Sequence, residues 1–466
     1  MASPRKPSLL VFLPDQQRAD TITPEYAPNL AKLAQQSVVF ERAYVTHPVC
    51  TPSRSAIMTG TWPHQNGCTH NSVLLPAKYK CLPQFVDSNY ISGYFGKWHL
   101  GDDGRAQRGF QHWISTEGTS DYSRYLIEHG QKPDRPDSSF SARSVSRLPI
   151  ELSKTQFLEK HACDFIEKYG REPFVLFVAF VEPHSPYNGP LNAIHLLPEE
   201  VSTPAELRRD TPLRYRLMQE WQEAEAILDR ERLPEQYYFG VTPEERRSIR
   251  QRYLGLVTQV DQSIGAILET LVNNGVFDET IIVHTSDHGD MLGDHQLFGK
   301  EVMFEEAVRV PLIVKMPHQQ SATRYSHPIS QIDLLPTLVE LLGGEQSDQF
   351  AGTSRAAVLQ ETVSTPIDDP VFVEWSPNRT KIKKRSTLGW RWRIRRAANE
   401  STRTIICADG WKLSLRKGDV NELYQLNRDP AETTNLFAKP EYTRVIHELT
   451  EQVHAWQERT RDPLKL

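Results

Sequence analysis

The segment Cys50-Thr51-Pro52-Ser53-Arg54-Ser55-Ala56-Ile57-Met58-Thr59-Gly60 places a thiol, a proline and an arginine at fixed spacing, at the start of a stretch that reads as a helix. A helix N-terminus offers unpaired backbone N–H groups and the positive end of the macrodipole, so an anion is stabilised there. The same field lowers a thiol pKa, and Arg54, one turn on, adds a full positive charge. Pro52 suits a first helical turn, where its missing donor is not needed. A lone cysteine before a helix is ordinarily a small buried apolar residue.

Two further pairs carry metal-type chemistry. Asp15 and Gln16 follow the apolar run 9–13, and Asp287 and His288 follow the run 280–285. Both runs read as strands, and in open parallel α/β sheets ligands bind beyond the carboxyl ends of strands. The pairs therefore point to one rim. Two carboxylates, an amide oxygen and an imidazole make a mostly oxygen site for one hard divalent cation, Ca²⁺ first, with Mg²⁺ or Mn²⁺ as alternatives. Taken singly, Asp15 is a turn residue and His288 a loop histidine. The shared rim with Cys50 makes them ligand candidates.

The Cys-x-Pro-Ser-Arg pattern at Cys50 resembles the modification motif of the type I, formylglycine-dependent sulfatases of the alkaline phosphatase-like superfamily. Gly93-Tyr94-Phe95-Gly96-Lys97-Trp98-His99-Leu100-Gly101 is similar to that family's second signature, and Val181-Glu182-Pro183-His184-Ser185-Pro186-Tyr187 to its Pro-His-x-Pro segment. Ser286-Asp287-His288-Gly289-Asp290, Gly293-Asp294-His295 and Phe298-Gly299-Lys300 resemble the metal and lysine segment, and residues 422–436 the C-terminal ending. The resemblance, which covers nearly the whole chain, implies that a maturation enzyme oxidises Cys50 to formylglycine. It implies Asp15, Gln16, Asp287, His288 and modified Cys50 as metal ligands, and Arg54, Lys97, His99, His184 and Lys300 as the sulfate and catalytic shell. One departure stands out. Many sulfatases carry Asp where this chain has Gln16, which lowers the negative charge by one and also resembles the phosphonate monoester hydrolases.

On this resemblance the mechanism has a definite form. Hydrated formylglycine is a geminal diol whose deprotonated form the metal and Arg54 favour, and one oxygen attacks sulfur in line. Lys97, Lys300 and the cation neutralise the sulfuryl oxygens. His184 protonates the departing alcohol oxygen. The second hydroxyl loses its proton to His99, which expels sulfate and restores the aldehyde. Lys97 and His99, two apart, share a face if their segment is extended.

The elements that must position these groups follow from apolar periodicity. Residues 9–13, 174–181 and 280–285 read as buried strands, 38–45 as extended, and 27–36 and the Cys50 segment as helices. Thr242-Pro243-Glu244-Glu245 is a capping box that starts a helix through Leu254, Val257, Val260, Ile264 and Leu268, stopping at Asn273-Asn274-Gly275. With the strand that follows, this is a parallel α/β unit. Residues 332–343 read as an amphipathic helix, and 188–241, charged and Pro-punctuated, as an insertion over the surface. Near residue 365 alternating segments begin at 371–375, 390–394, 403–408 and 411–415, followed by a helix over 441–461. The expected architecture is α/β: a catalytic domain over 1–364 with a large mixed, mainly parallel sheet sandwiched by helices, as the resemblance implies, and a smaller antiparallel α+β unit over 365–466.

Composition narrows the class. The 466 residues, 38% hydrophobic and 24% charged, are those of a soluble globular chain with room for a large core. A net charge of -5 argues against general nucleic-acid binding. No apolar run of about 18 residues occurs, so no transmembrane helix is expected. The run 9–13 is too short for a signal-peptide core, so a cytoplasmic location is the expectation, periplasmic or secreted if a leader has been removed. The five cysteines lack metal spacing, and Cys68 and Cys81 are free to pair although nothing requires it.

The expected activity is hydrolysis of a small-molecule or carbohydrate sulfate ester to alcohol and inorganic sulfate. The alternatives are a phosphonate monoester hydrolase or phosphodiesterase with the same nucleophile, and a non-catalytic binder of sulfated glycans, which loss of Cys50 or a ligand would mark. The basic stretch Arg379 to Arg396 reads either as a contact for a polyanion such as a sulfated oligosaccharide, with Trp390 or Trp392 stacking on sugar faces, or as an ordinary strand with solvated arginines and packed tryptophans.

Overall fold

The computed structural model describes residues 6–71, 73–118, 120–141, 147–188, 211–232, 239–240, 242–360, 368–377, 396–397 and 399–466. Eight strands form the main sheet: β1 (Ser8–Phe12), β2 (Val38–Tyr44), β3 (Ile91–Gly96), β4 (His112–Ile114), β5 (Phe174–Ala179), β6 (Thr280–Thr285), β7 (Arg309–Lys315) and β8 (Thr323–Ser330). Their order is β4-β3-β5-β1-β6-β7-β2-β8, and β7 alone runs against the others. The carboxyl ends of β1, β2, β3, β5 and β6 therefore open onto one rim.

Strand periodicity divides the core into two layers. From β1, Leu9, Val11 and Leu13 pack on one face with Val175, Phe177, Ile281 and Val283. Leu10 and Phe12 pack on the other with Phe174, Leu176, Val178 and Ile282. Both faces are covered, which is why these strands read as unbroken apolar runs. The second face is closed by helices Lys154–Tyr169 and Pro243–Asn273, the latter burying Ile249, Tyr253, Leu256, Val260, Ile264, Ile267 and Leu271. Its capping box forms as expected: Glu245 N–H donates to Thr242 Oγ1 at 3.2 Å, and Thr242 N–H to Glu245 Oε2 at 2.9 Å.

A second, antiparallel sheet has the order β12-β11-β10-β9, with β9 (Val371–Trp375), β10 (Thr402–Ile406), β11 (Trp411–Leu415) and β12 (Glu422–Gln425). Helix Thr443–Thr460 packs on it through Leu449, Val453 and Trp456, and the Trp62 ring meets Trp456 edge-on at 5.0 Å.

Several expectations are corrected. β3, β4, β7, β8 and β12 carry weak or interrupted patterns. β7 contains Pro311, and β2 bulges between Phe40 and Ala43 opposite it, so the missing N–H falls where the ladder already skips. Residues 332–343 hold the helix Leu334–Leu341, buried on almost every side rather than amphipathic. Within 188–241, helix Leu213–Arg232 sinks Tyr215 into the core, so this part is no surface appendage. Cys68 and Cys81 are separate buried thiols. The expected strand 390–394 and the domain boundary near 365 lie outside the described residues. No helix among the described residues is long and apolar enough to cross a membrane.

Candidate active site

Most of the predicted residues sit just past a strand end or in the first turns of a helix, while Lys300 lies in the loop before Glu305. Asp15 and Gln16 follow β1, Lys97 follows β3, His184 follows β5, and Asp287 and His288 follow β6. Cys50 opens α2 (Cys50–Thr59), reached from β2 by a short loop; α1 is the earlier helix Pro28–Ala34. All ten residues of α2 are buried, and Gly60 closes it in the left-handed region at φ 64°. The N–H of Thr51 finds a partner in Asn71 Oδ1 at 3.1 Å. Two glycines permit close approach. A Cβ on Gly96 would lie 1.9 Å from the Ala179 carbonyl oxygen, and one on Gly289 1.9 Å from that of Glu306.

Arg54 organises the rim from beneath while itself fully buried. Its Nε donates to Asp287 Oδ2 at 2.7 Å, its Nη2 to Asp15 Oδ2 at 3.4 Å, and its Nη1 to the Lys97 carbonyl at 2.7 Å. Lys97 Nζ meets the same Asp15 Oδ2 at 2.7 Å. Both carboxylates thus spend Oδ2 on fixed cations and turn Oδ1 inward. There His288 Nε2 lies 3.6 Å from Asp15 Oδ1 and 3.7 Å from Asp287 Oδ1, and Cys50 Sγ is 3.1 Å from Nε2 and 3.8 Å from Asp15 Oδ1. His288 Nδ1 faces the Gly289 carbonyl at 3.0 Å. A carbonyl only accepts, so Nδ1 carries hydrogen and the Nε2 lone pair is available to a metal.

Burial and the Cys50 charge would each raise the Asp15 carboxyl, but Lys97, His184 and Arg54 hold it well below the usual range. Burial would likewise raise the Cys50 thiol, yet Lys300, Lys97, His288 and His184 depress it far below an ordinary cysteine. Burial is the largest influence on His288 and disfavours its charged form, but the Asp287 carboxylate and Cys50 together raise its pKa. Asp15, Asp287, His288 and Cys50 offer donor atoms all within 4.8 Å of one another, a set that fits a divalent cation.

On the open side, Lys300 Nζ donates to Gln16 Oε1 at 2.6 Å, to Cys50 Sγ at 3.2 Å and to His184 Nε2 at 2.8 Å. The structure thus gathers Asp15, Gln16, Cys50, Arg54, Lys97, His184, Asp287, His288 and Lys300. His99 is the exception to the expected geometry. Its backbone is left-handed at φ 58°, so it does not continue an extended face with Lys97. Its carbonyl accepts from Thr51 Oγ1 at 3.0 Å, which holds the residue beside the first turn of α2, and its Nδ1 is buried without a partner.

Sequence reasoning missed the groups that support this cluster. Asp290 and Tyr187 brace Gln16, and Tyr253 Oη donates to the Gln16 carbonyl at 2.8 Å. Arg214, from the supposed surface insertion, donates to the carbonyl of Glu301 beside Lys300 and stacks over Trp375 at 4.3 Å. Asp290 and Tyr187 lay inside segments already singled out, but nothing in the sequence said that they meet.

Comparison with known proteins fits this geometry. The family model described as Sulfatase matches residues 15–344, and that described as N-sulphoglucosamine sulphohydrolase, C-terminal, matches residues 293–459. The ulvan-active sulfatase of Formosa agariphila is 29% identical over 385 residues, covering 78% of this chain and 66% of that protein. The phosphonate monoester hydrolase of Silicibacter pomeroyi has the same fold at TM-score 0.79 and 22% identity, covering 98% of this chain and 96% of its own. A structure bound to its substrate D-glucosamine-2-N,6-O-disulfate matches at TM-score 0.74 and 21% identity, covering 98% and 99%.

Proposed function

The chain belongs to the sulfatase family and is a sulfuric ester hydrolase, and from that premise we propose that it cleaves a carbohydrate sulfate ester through a formylglycine made from Cys50. The observation that carries this reading is the buried Cys50 Sγ, 3.1 Å from His288 Nε2 and 3.2 Å from Lys300 Nζ, at the mouth of α2. The thiol marks where the modified side chain stands. Asp15, Gln16, Asp287, His288 and modified Cys50 would hold one divalent cation. When bound, the cation supplies Lewis-acid polarisation and formylglycine supplies, as its hydrate, one hydroxyl to attack and one to re-form the aldehyde.

The remaining work falls to fixed side chains. Arg54 and Lys97 hold the two carboxylates in place, and with Lys300 they put positive charge where the sulfuryl oxygens lie. His184, with Nδ1–H on the Ser185 carbonyl, presents Nε2 to Lys300, and this pair delivers a proton to the departing alcohol oxygen. His99, its ring nitrogen uncommitted beside α2, takes the proton from the second hydroxyl. The sugar assignment draws on the ulvan-active and disulfate-bound relatives named above.

Produced with a formylglycine-generating enzyme, the Cys50 peptide should appear by mass spectrometry lighter than the thiol form. Cys50→Ala should lose at least about 10³-fold in kcat on an aryl sulfate; near wild-type turnover would sink the mechanism. Gln16 and the phosphonate hydrolase fold favour a second reading, a preference for phosphonate monoesters. Matched aryl sulfate and aryl phosphonate substrates decide between them. A phosphonate preference above about tenfold, roughly 1.4 kcal/mol of differential transition-state binding, favours the second.

A further inference from the structure

Gln16 has a side chain whose two ends look alike in shape, and only its partners decide which end faces the cation site. Both partners agree. Lys300 Nζ has hydrogens only, so it must meet Oε1, at 2.6 Å. On the other side Asp290 Oδ2 can only accept, so it takes Nε2. Asp290 is itself fully buried and saturated with donors: Tyr187 Oη donates to the same Oδ2 at 2.5 Å, and the backbone N–H groups of Leu292 and Gly299 donate to Oδ1, each at 2.8 Å. The Gln16 backbone is pinned as well, its N–H on Asp287 Oδ1 at 3.1 Å, its carbonyl on Tyr253 Oη at 2.8 Å and its φ at 71°.

We propose that Asp290 is a positioning residue that turns the Gln16 amide oxygen towards Lys300 and Cys50, and that it bars a carboxylate from position 16 unless residue 290 changes with it. The inference rests on the reading of Gln16 as a metal ligand. In Gln16→Glu, an oxygen replaces Nε2 and faces Asp290 Oδ2, setting two buried acceptors together. In Asp290→Asn, the carbonyl oxygen keeps the Leu292 and Gly299 N–H groups, and the new amide nitrogen faces Gln16. That arrangement drives the Gln16 amide to flip and points its NH₂ at the Lys300 ammonium. Combining both changes re-forms a donor–acceptor pair between the two positions and returns an oxygen to the cavity.

The test is Ca²⁺ affinity of the full chain, read by calorimetric titration of protein stripped of metal, alongside the melting temperature without metal. Asp290→Asn should weaken Ca²⁺ binding about 10–100-fold, the usual effect of removing a partner of a metal ligand. Gln16→Glu should also weaken it, and the Gln16→Glu/Asp290→Asn protein should bind more tightly than the product of the two single effects allows. Tyr187→Phe, a milder change, should weaken binding several-fold if Asp290→Asn fails to fold. The inference is overturned if Asp290→Asn, or failing that Tyr187→Phe, binds Ca²⁺ like the wild type, or if the double variant shows no recovery. Gln16→Ala separates the two claims. If it leaves Ca²⁺ affinity unchanged, the ligand assignment itself falls; if it weakens binding while Asp290→Asn does not, the positioning role alone is wrong.

Discussion

Both sheets bury charge, but they finish it differently. Beside the small sheet, Arg403 grips Asp462 with two hydrogen bonds of 2.6 and 2.8 Å and gives its remaining nitrogen to the Trp375 and Thr402 carbonyls. Arg416 meets Glu422 at 2.7 Å and places its other nitrogens on Thr402 Oγ1 and the Val420 carbonyl. Lys412 stands 2.8 Å from each of Glu305 and Glu432. At the rim of the large sheet, Arg54 and Lys97 answer only the outer oxygens of Asp15 and Asp287, leaving Oδ1 atoms, an imidazole lone pair and a thiol facing one another. A structural charge network closes on itself. A functional one keeps an opening of defined charge and shape.

Breaking the closed network should damage folding and spare chemistry. Arg403→Leu leaves the buried Asp462 carboxylate without its cation, held only by Gln457 Nε2 and the Leu464 N–H, and should cost about 3 kcal/mol in denaturant unfolding, while kcat of the protein that remains folded is unchanged. A stability loss under about 1 kcal/mol would show that this pair matters little. Breaking the open network should do the reverse. Asp287→Asn keeps the shape and removes one inward charge, and should lower kcat on an aryl sulfate by at least about 10²-fold, some 2.7 kcal/mol. Unchanged turnover would remove Asp287 from the metal site.

Glu306 sharpens the contrast at its border, where burial pushes its carboxyl up to about 7 although Arg18 partly opposes this. Its Oε2 is buried without a partner. A carboxyl raised on folding contributes stability below its unfolded pKa, and that contribution is lost as pH rises through 7. Glu306→Gln should therefore be neutral near pH 4 and stabilise by about 3 kcal/mol at pH 8. Equal stability of variant and wild type across that range would contradict the assignment.

Much of the site was legible because its residues lie directly past short, fully buried strands. The run ending at Leu13 announces Asp15, and the run ending at Thr285 announces Asp287. The capping box at Thr242 and the periodicity behind it located the long helix for the same local reason. What stayed hidden depends on tertiary partners. β7 reads poorly because Pro311 interrupts it, and only the bulge in β2 makes the proline acceptable there. The turn at His99 and the bracing of Gln16 by Asp290, 274 residues away, have no local signature. Tyr215 looked like surface because its neighbours are charged, yet its hydroxyl receives Arg416 at 2.9 Å and the Met303 N–H at 2.9 Å inside the core.

The central claim is that the inward oxygens of Asp15 and Asp287, with His288 and modified Cys50, form a site completed by a divalent cation. It is tested most directly by measuring aryl sulfate hydrolysis on one preparation before chelation, after exhaustive chelation and after adding back Ca²⁺ or Mg²⁺, with metal content determined at each stage. The account predicts loss of activity with the metal and its return with one of the two cations. Full activity in protein shown to be metal-free would contradict it.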